Sequence, residues 1–285
     1  MKIAVIPNLT RHKAREVTLA LCEELEKENI GYCFSDVLRN EFEEISRNHF
    51  ENANDYIKNS DMVISVGGDG SMLRAAKLAA SENKNVLGIN AGRLAYLCGL
   101  DADELYLLTC LKEGRYTVQR RMMLDVTVEK NGEVIYSGAC LNDAVFSRGA
   151  GLRLIDLSVK TGGRDIADYL ADGAIFATPT GSTAYSMSAG GSIIEPTLEA
   201  ILLTPICPHS IAVRPYIFSG NAEFEVAIKP VDGETDSIFL FLDGSESVKI
   251  DKDCVVLIKK SDIPANFVSI KTDNFIDVLN KKLER

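Results

Sequence analysis

A glycine-rich turn, Gly67-Gly68-Asp69-Gly70-Ser71, lies between an apolar run and a stretch with helical spacing. Glycines permit positive φ and a close approach of the backbone to a ligand, so successive amides and the next helix N-terminus can face a phosphate. Asp69 is the unusual member of this turn. A carboxylate beside phosphates is repelled unless a divalent cation bridges them or the carboxylate accepts a proton from an attacking hydroxyl. The alternative is that Asp69 only caps the helix.

Small and hydroxyl-bearing residues fill the segment from Asp172 to Gly191, which contains Thr178-Pro179-Thr180-Gly181-Ser182-Thr183-Ala184-Tyr185-Ser186. The segment is too long and too polar for a hairpin turn. Its backbone and hydroxyl groups can bind sugar hydroxyls and amides, and the Tyr185 ring can lie against a planar base. The alternative is a tight helix cap in which Tyr185 is an ordinary core residue.

Two adjacent polar residues, Asn142 and Asp143, end a predicted strand. Their side chains together can hold a ribose diol. An Asx turn, in which such a side chain bonds the backbone two residues further on, accounts for the local sequence equally well. The residues themselves leave both interpretations open.

Composition and charge exclude several classes of protein. The 285 residues are 46% hydrophobic and 25% charged, as in a folded globular chain, and 31 Lys and Arg against 41 Asp and Glu give a net charge of −10. This acidic balance argues against nucleic acid as a partner. No stretch approaches the ~18 uninterrupted apolar residues of a membrane helix. The seven scattered cysteines, which form no CxxC pair, suit reduced thiols, so we expect a cytoplasmic protein with no membrane partner.

Motifs of several other enzyme classes are absent from the sequence. It contains no GxxxxGKS/T, GxGxxG, GxSxG or HExxH pattern, and its three histidines, His12, His49 and His209, lie far apart. These absences argue against a triad hydrolase and against a metal enzyme with histidine ligands.

The first part of the chain, residues 1–115, alternates between strand-like and helix-like patterns. Short apolar runs such as Met62–Val66 and Val86–Asn90 are followed by stretches with helical spacing, of which Glu104–Lys112 is the last. This alternation predicts right-handed βαβ crossovers. We therefore expect an α/β domain with a mainly parallel sheet.

The second part, residues 116–264, is predicted to be a β-rich domain. The apolar period changes to two near Tyr116, and Asn131-Gly132 marks a hairpin. The tail, residues 265–285, turns helical at Phe275–Leu283 and is expected to pack back onto the first domain. Further strand-like runs are Leu152–Val159, Phe224–Ile228, Ile238–Leu242, Val255–Ile258 and Phe267–Ile270.

These motifs together resemble the NAD kinase family over nearly the full chain. The glycine-rich turn alone is shared with phosphofructokinases and with diacylglycerol and sphingosine kinases, whereas the Thr178–Gly191 segment is specific to NAD kinases. The matching segments are Gly67–Arg74, Gly88–Asn90, Arg121–Leu124, Leu141–Asp143, Asp172–Gly191, Thr204–His209, Val213–Pro215 and Leu242–Gly244.

The resemblance implies an enzyme that transfers the γ-phosphoryl group of ATP to the 2′-hydroxyl of the adenosine ribose of NAD, giving NADP. Another nucleotide or polyphosphate is an alternative donor, and Mg²⁺ is the expected divalent ion. The implied fold is a phosphofructokinase-like α/β domain followed by a β-rich domain that binds NAD. Family members form homodimers or homotetramers, in which a neighbouring subunit can reach the NAD.

The resemblance also implies roles for individual residues. Asp69 would accept the proton, Gly68, Gly70 and Arg74 would lie along the phosphates, and no protein residue is assigned as a metal ligand. Asp143 stands where the family usually has Glu, and Ser245 where Gln is common. The residues implied to bind NAD are Asn142, Asp143, Arg153, Asp172, Thr183, Ala184, Tyr185, Ser186, Met187, Ser188 and Ser245.

Two other functions remain open at the level of the residues. A lipid kinase of the diacylglycerol or sphingosine kinase type shares the glycine-rich turn and the two-domain layout. A non-catalytic NAD-binding protein would keep Asn142, Asp143 and Tyr185 but would not need Asp69. The Thr178–Gly191 segment argues against the lipid kinase.

Overall fold

The structure is a computed structural model that describes residues 1–92, 95–149, 153–229, 238–271 and 275–283. Its strands are β1 (Lys2–Pro7), β2 (Gly31–Ser35), β3 (Phe50–Glu51), β4 (Met62–Gly67), β5 (Asn85–Asn90), β6 (Leu100–Asp101), β7 (Thr117–Arg121), β8 (Leu124–Lys130), β9 (Glu133–Cys140), β10 (Asp143–Arg148), β11 (Ile155–Thr161), β12 (Arg164–Ala171), β13 (Gly173–Ala177), β14 (Ala200–Ile206), β15 (Tyr216–Ser219), β16 (Phe224–Ile228), β17 (Ile238–Leu242), β18 (Glu246–Ile250), β19 (Cys254–Lys260) and β20 (Ala265–Ser269).

The α-helices are α1 (Ala14–Lys27), α2 (Asp69–Ser81), α3 (Thr109–Lys112), α4 (Tyr185–Ser188) and α5 (Phe275–Leu283). Short 3₁₀ helices cover Asp36–Leu38, Arg47–His49, Ala102–Leu108 and Thr180–Thr183. None of the described helices is long and apolar enough to cross a membrane.

The chain divides into two compact units, an N-terminal unit of Met1–Arg120 with Ala265–Arg285 and a C-terminal unit of Arg121–Pro264. The sheet of the N-terminal unit has the order β3-β2-β1-β4-β5-β20-β7, and β6 also pairs with β5. All the pairings among the first six strands are parallel, and so is the pairing of β20 with β5. Every residue of β4 is buried, as expected of a parallel strand covered on both faces.

The C-terminal unit contains two six-stranded sheets, β15-β14-β13-β10-β17-β18 and β12-β11-β16-β19-β8-β9. Their pairings are antiparallel. One hydrophobic core contains side chains from both sheets. In it the rings of Phe176 and Phe224 pack edge to face, with their centroids 5.2 Å apart. The α/β unit with a mainly parallel sheet and the β-rich unit confirm the fold class predicted from the sequence.

The predicted hairpin at Asn131-Gly132 is confirmed. Lys130 of β8 pairs with Glu133 of β9, so the loop has two residues, and their φ values are +53° and +82°. Positive φ at both loop positions is the requirement of this tight turn, and Asn and Gly meet it.

Other elements differ from the sequence-based prediction. The stretch predicted as a helix at Glu104–Lys112 is a 3₁₀ helix over Ala102–Leu108 followed by the single turn of α3. The buried residues of the 3₁₀ helix, Leu105 and Leu108, are three positions apart, and a 3₁₀ helix places such residues on one face. The strands β2, β3, β6, β7, β10, β12, β14, β15 and β18 were not predicted. The prediction that Asn142 and Asp143 end a strand is wrong, because β9 ends at Cys140 and Asp143 is the first residue of β10. Leu152, the first residue of one predicted strand, lies outside the described residues.

Candidate functional site

The glycine-rich turn joins the end of β4 to the start of α2, at the carboxyl edge of the parallel sheet. The freedom of glycine to adopt positive φ is not used in this turn, because Gly67, Gly68 and Gly70 are not among the described glycines with positive φ. Gly67 is needed for close packing instead, because a Cβ there would lie 2.4 Å from Ser71 Oγ. At Gly68 and Gly70 no described atom lies within 4 Å of an added Cβ. The described residues therefore leave the space above these two glycines open.

Asp69 is the first residue of α2 and is half-buried. Gly68 is the N-cap, and no side chain among the described residues caps this helix. The Asp69 Oδ1 atom instead accepts the backbone N–H of Leu97 at 2.8 Å. Burial raises the pKa of the nearby Tyr96 phenol, and the negative charge of Asp69 raises this pKa further. The helix N-terminus and Leu97 therefore fix the Asp69 carboxylate at the edge of the open turn.

Sequence reasoning missed Asn8, which follows β1 at the same edge of the sheet. Its Nδ2 donates to Ser71 Oγ at 2.8 Å, and its Oδ1 accepts the hydroxyl and the backbone N–H of Thr10 at 2.7 and 3.2 Å. Asn8 thus ties the loop after β1 to the first turn of α2. The available signal was its place at the carboxyl end of a strand that neighbours β4. Arg74, one turn along α2 from Gly70, is exposed.

The C-terminal unit holds a cavity of about 360 Å³. Four predicted site residues line it, namely Asn142, Asp143, Ala184 and Tyr185. The other lining residues were not predicted as site residues, and they come from β10 and from the end of β17 with its following turn. They are Val145, Ser147, Phe241, Asp243 and Gly244.

Two acceptors in this cavity have no hydrogen-bond partner among the described residues. The Asp143 side chain is 5% exposed and makes no described hydrogen bond, and Asn142 Oδ1 is buried and unpaired. Burial, and then the charge of Asp243, raise the pKa of Asp143 to about 7. No described Asx turn uses either side chain. Both groups are therefore available to a ligand with hydroxyl or amide donors.

The Thr178–Gly191 segment packs on the backbone of Asn142. The Thr178 hydroxyl donates to the Leu141 carbonyl at 2.5 Å, and the Thr178 N–H donates to the Asn142 carbonyl at 2.9 Å. Gly181 is required here, because a Cβ would lie 2.1 Å from the Asn142 carbonyl oxygen. Tyr185 is 47% exposed beside the cavity, so the alternative that it is a core residue is wrong.

Other predicted site residues are not among the residues that line this cavity. Ser186 is buried and its hydroxyl bonds to Thr204 Oγ1 at 2.9 Å, while the Thr183 hydroxyl donates to the Thr180 carbonyl at 3.4 Å. Asp172 pairs with Arg148, with Oδ1 and Nε 2.8 Å apart. Met187, Ser188, Arg153 and Ser245 are not among the described lining residues, and the last three are exposed.

Comparison with protein-family models places both parts of the chain in one family. Residues 3–116 match the ATP-NAD kinase N-terminal domain, and residues 141–270 match the ATP-NAD kinase C-terminal domain. An NAD kinase of Caldanaerobacter subterraneus subsp. tengcongensis is 37% identical over 285 residues, which cover 99% of this chain and 98% of that protein. An NAD kinase of Desulforamulus reducens is 40% identical over 225 residues, covering 79% of this chain and 77% of that protein.

Solved structures agree with this assignment. Yeast NADH kinase complexed with NADH superposes with a TM-score of 0.88 at 25% identity, covering 100% of this chain and 87% of that one. An NAD kinase from Archaeoglobus fulgidus in complex with ATP gives a TM-score of 0.74 at 25% identity, covering 100% and 99%. Sequence and fold together show that the chain belongs to the NAD kinase family.

Proposed function

We propose that this protein is an NAD kinase that transfers the γ-phosphoryl group of ATP to the 2′-hydroxyl of the adenosine ribose of NAD, producing NADP. The observation that carries the proposal is the match of both parts of the chain to NAD kinase domains. The related proteins of known structure bind NADH and ATP. No comparison favours the lipid kinase or the non-catalytic NAD-binding protein, so neither alternative is retained.

The open turn is the proposed site of the donor phosphates. Gly68 and Gly70 leave space for a ligand, the N-terminus of α2 favours negative charge, and exposed Arg74 adds a cation. These groups recognise phosphate oxygens rather than a base. ATP, another nucleotide or polyphosphate is therefore a suitable donor for this turn.

Mg²⁺ is the proposed divalent ion, and the residues present fit it. Within the described residues there is no group of three or more His, Cys, Asp or Glu that could cage a metal, but Asp69 supplies one carboxylate beside the turn. One carboxylate plus substrate phosphates is a usual way to hold Mg²⁺. When bound, the ion neutralises charge on the phosphoryl oxygens. Asp69 itself accepts the proton of the attacking 2′-hydroxyl.

The cavity of the C-terminal unit is the proposed NAD site. The unpaired acceptors of Asn142 and Asp143 match sugar hydroxyls and amides, and the exposed ring of Tyr185 offers a face to a planar base. The proposal extends NAD binding to residues that do not line this cavity. These are Arg153, Asp172, Thr183, Ser186, Met187, Ser188 and Ser245.

We propose that some of these residues reach the NAD bound to a neighbouring subunit, so that the protein is a homodimer or homotetramer. We also propose that it is cytoplasmic. Its proposed domains are residues 1–115 and 116–264, and the tail, 265–285, belongs with the first domain. Binding of NAD across subunits would stabilise the assembly by mass action. Sedimentation at several protein concentrations, with and without NAD, tests this. A monomer with full activity at nanomolar concentration would exclude it.

Incubation of the protein with NAD, ATP and Mg²⁺, followed by an NADP-specific dehydrogenase, tests the proposed reaction. The expected result is NADP formation that depends on all three additions. A folded protein that binds NAD and forms no NADP would support the non-catalytic alternative.

A further inference from the structure

One carboxylate holds the turn that carries Asn142 and Asp143. Asp243 Oδ1 lies 2.7 Å from the Asn142 nitrogen, 3.1 Å from that of Leu141 and 3.3 Å from that of Asp143, and Oδ2 lies 3.1 Å from the Leu141 nitrogen. The Asp243 N–H in turn donates to the Asp143 carbonyl at 3.0 Å. Asp243 therefore accepts three consecutive N–H groups of residues that precede or line the cavity.

The backbone at Asp243 restricts which residue can do this. Its φ is +49°, and that of Gly244 is +65°, in the short turn between β17 and β18. Side chains other than Asn and Asp seldom adopt this left-handed region. The position thus needs a short side chain that tolerates positive φ and presents oxygen to the neighbouring turn.

We propose that Asp243 is a positioning residue for NAD: it fixes the Leu141–Asp143 turn so that the Asn142 and Asp143 side chains face the cavity. Asp243 thereby sets the affinity for NAD and not the rate of phosphoryl transfer. The inference rests on the proposed NAD kinase function, and it adds a role for a residue that lies 100 positions along the chain from Asp143.

Asp243 also acts on Asp143 through its charge. The strands β13 and β17, which flank β10, have only apolar residues in the sequences GAIFA and IFLFL. Among the described residues that line the cavity, Tyr185 is the titratable residue besides Asp143 and Asp243. Because the Asp243 charge disfavours ionisation of Asp143, removing it lowers the pKa of Asp143. If NAD binding requires ionised Asp143, a variant without the Asp243 charge should keep its NAD affinity to a lower pH than wild type does.

The full-length variants Asp243→Ala and Asp243→Asn test the proposal. Asn tolerates positive φ and keeps one side-chain oxygen, whereas Ala loses every side-chain bond to the turn and keeps only the backbone bond to the Asp143 carbonyl. Asp251→Asn is the matched control, since Asp251 Oδ1 accepts the Asp253 N–H at 3.1 Å in another turn of the same unit. Calorimetry gives the Kd for NAD, the kinase assay gives KM and kcat, and circular dichroism checks folding.

We expect Asp243→Ala to raise the Kd and the KM for NAD by ~10-fold or more with kcat within ~3-fold, the signature of lost binding that is equal in ground and transition states. Asp243→Asn should fall between wild type and Ala, and its NAD affinity should weaken at a lower pH than that of wild type. Asp251→Asn should match wild type. Wild-type NAD affinity in folded Asp243→Ala would overturn the proposal, and so would a pH profile of NAD affinity that is unchanged in folded Asp243→Asn. If the wild type makes no NADP, the proposed function fails, while the Kd values still decide the role of Asp243.

Discussion

The carboxylate of Asp69 accepts the backbone N–H of Leu97 at 2.8 Å. This bond ties the first residue of α2 to the chain that follows β5, so the side chain at the open turn has a fixed orientation. A fixed orientation is what a proton acceptor needs, because proton transfer requires hydrogen-bond distance to the reacting hydroxyl. An Asn at this position could keep the hydrogen bond to Leu97 but could not act as the proton acceptor, so the two roles of Asp69 can be tested separately.

Asp69→Asn should reduce turnover by ~10² to 10⁴-fold, the loss expected for a general base. The amide oxygen can still accept the Leu97 N–H, so folding and the Kd for NAD should change little. Steady-state kinetics and calorimetry measure the two effects. Asp103→Asn, an exposed carboxylate of the same unit, is the control. Turnover near the wild-type value would remove Asp69 from the proton-transfer role.

Tyr185→Ala should weaken NAD binding by ~1 to 3 kcal/mol, a fair range for a ring stacked on a base. Tyr185→Phe should have a much smaller effect, because the ring face remains. Neither variant should lower the melting temperature appreciably, because Tyr185 is 47% exposed. Tyr216→Ala is the matched control, since Tyr216 is 43% exposed on β15. Equal NAD affinity in Tyr185→Ala and wild type would exclude stacking.

Gly181→Ala should destabilise the protein by ~1 to 3 kcal/mol or more, because its Cβ would lie 2.1 Å from the Asn142 carbonyl oxygen. The clash displaces Asn142, so NAD affinity should fall as well. Gly70→Ala has no described neighbour within 4 Å and should melt close to wild type. Thermal melting of both variants makes the comparison, and a Gly181→Ala protein as stable as Gly70→Ala would contradict this packing.

The raised pKa of Asp143 makes stability depend on pH. Burial and Asp243 lift it from 3.8 to about 7, so the folded state binds more protons than the unfolded state between these values. The contribution of Asp143 to stability therefore falls as the pH rises from about 4 to about 7. In Asp143→Asn this loss is absent, so the melting temperature of the variant minus that of wild type should increase over the same range. If the melting temperatures of the variant and of wild type instead change equally with pH, Asp143 has an ordinary pKa.

Local sequence patterns predicted the parts of the fold that local chemistry determines. The Asn131-Gly132 hairpin follows from two residues that tolerate positive φ, and β4 with α2 follow from an apolar run, a glycine-rich turn and helical spacing. Asp243 could not be found in this way as a partner of Asp143. Only the pairing of β10 with β17 brings the two residues together.

The glycine-rich turn illustrates a different limit. The sequence shows glycines in this turn, but it does not show whether a glycine is needed for positive φ or for close packing. Ser71 Oγ, held by Asn8, decides the matter at Gly67 through tertiary contact. Val145 and Ser147 share a face of β10 with Asp143, so strand alternation would have found them once that strand was known to border the cavity.

The most direct test of the account is one assay of wild type and Asp69→Asn at equal concentration with NAD, ATP and Mg²⁺, in which NADP and ADP are both quantified. We expect wild type to form NADP and ADP in equal amounts, and Asp69→Asn to bind NAD but form NADP at least ~10²-fold more slowly. A wild-type protein that binds NAD and consumes ATP without forming NADP would contradict it.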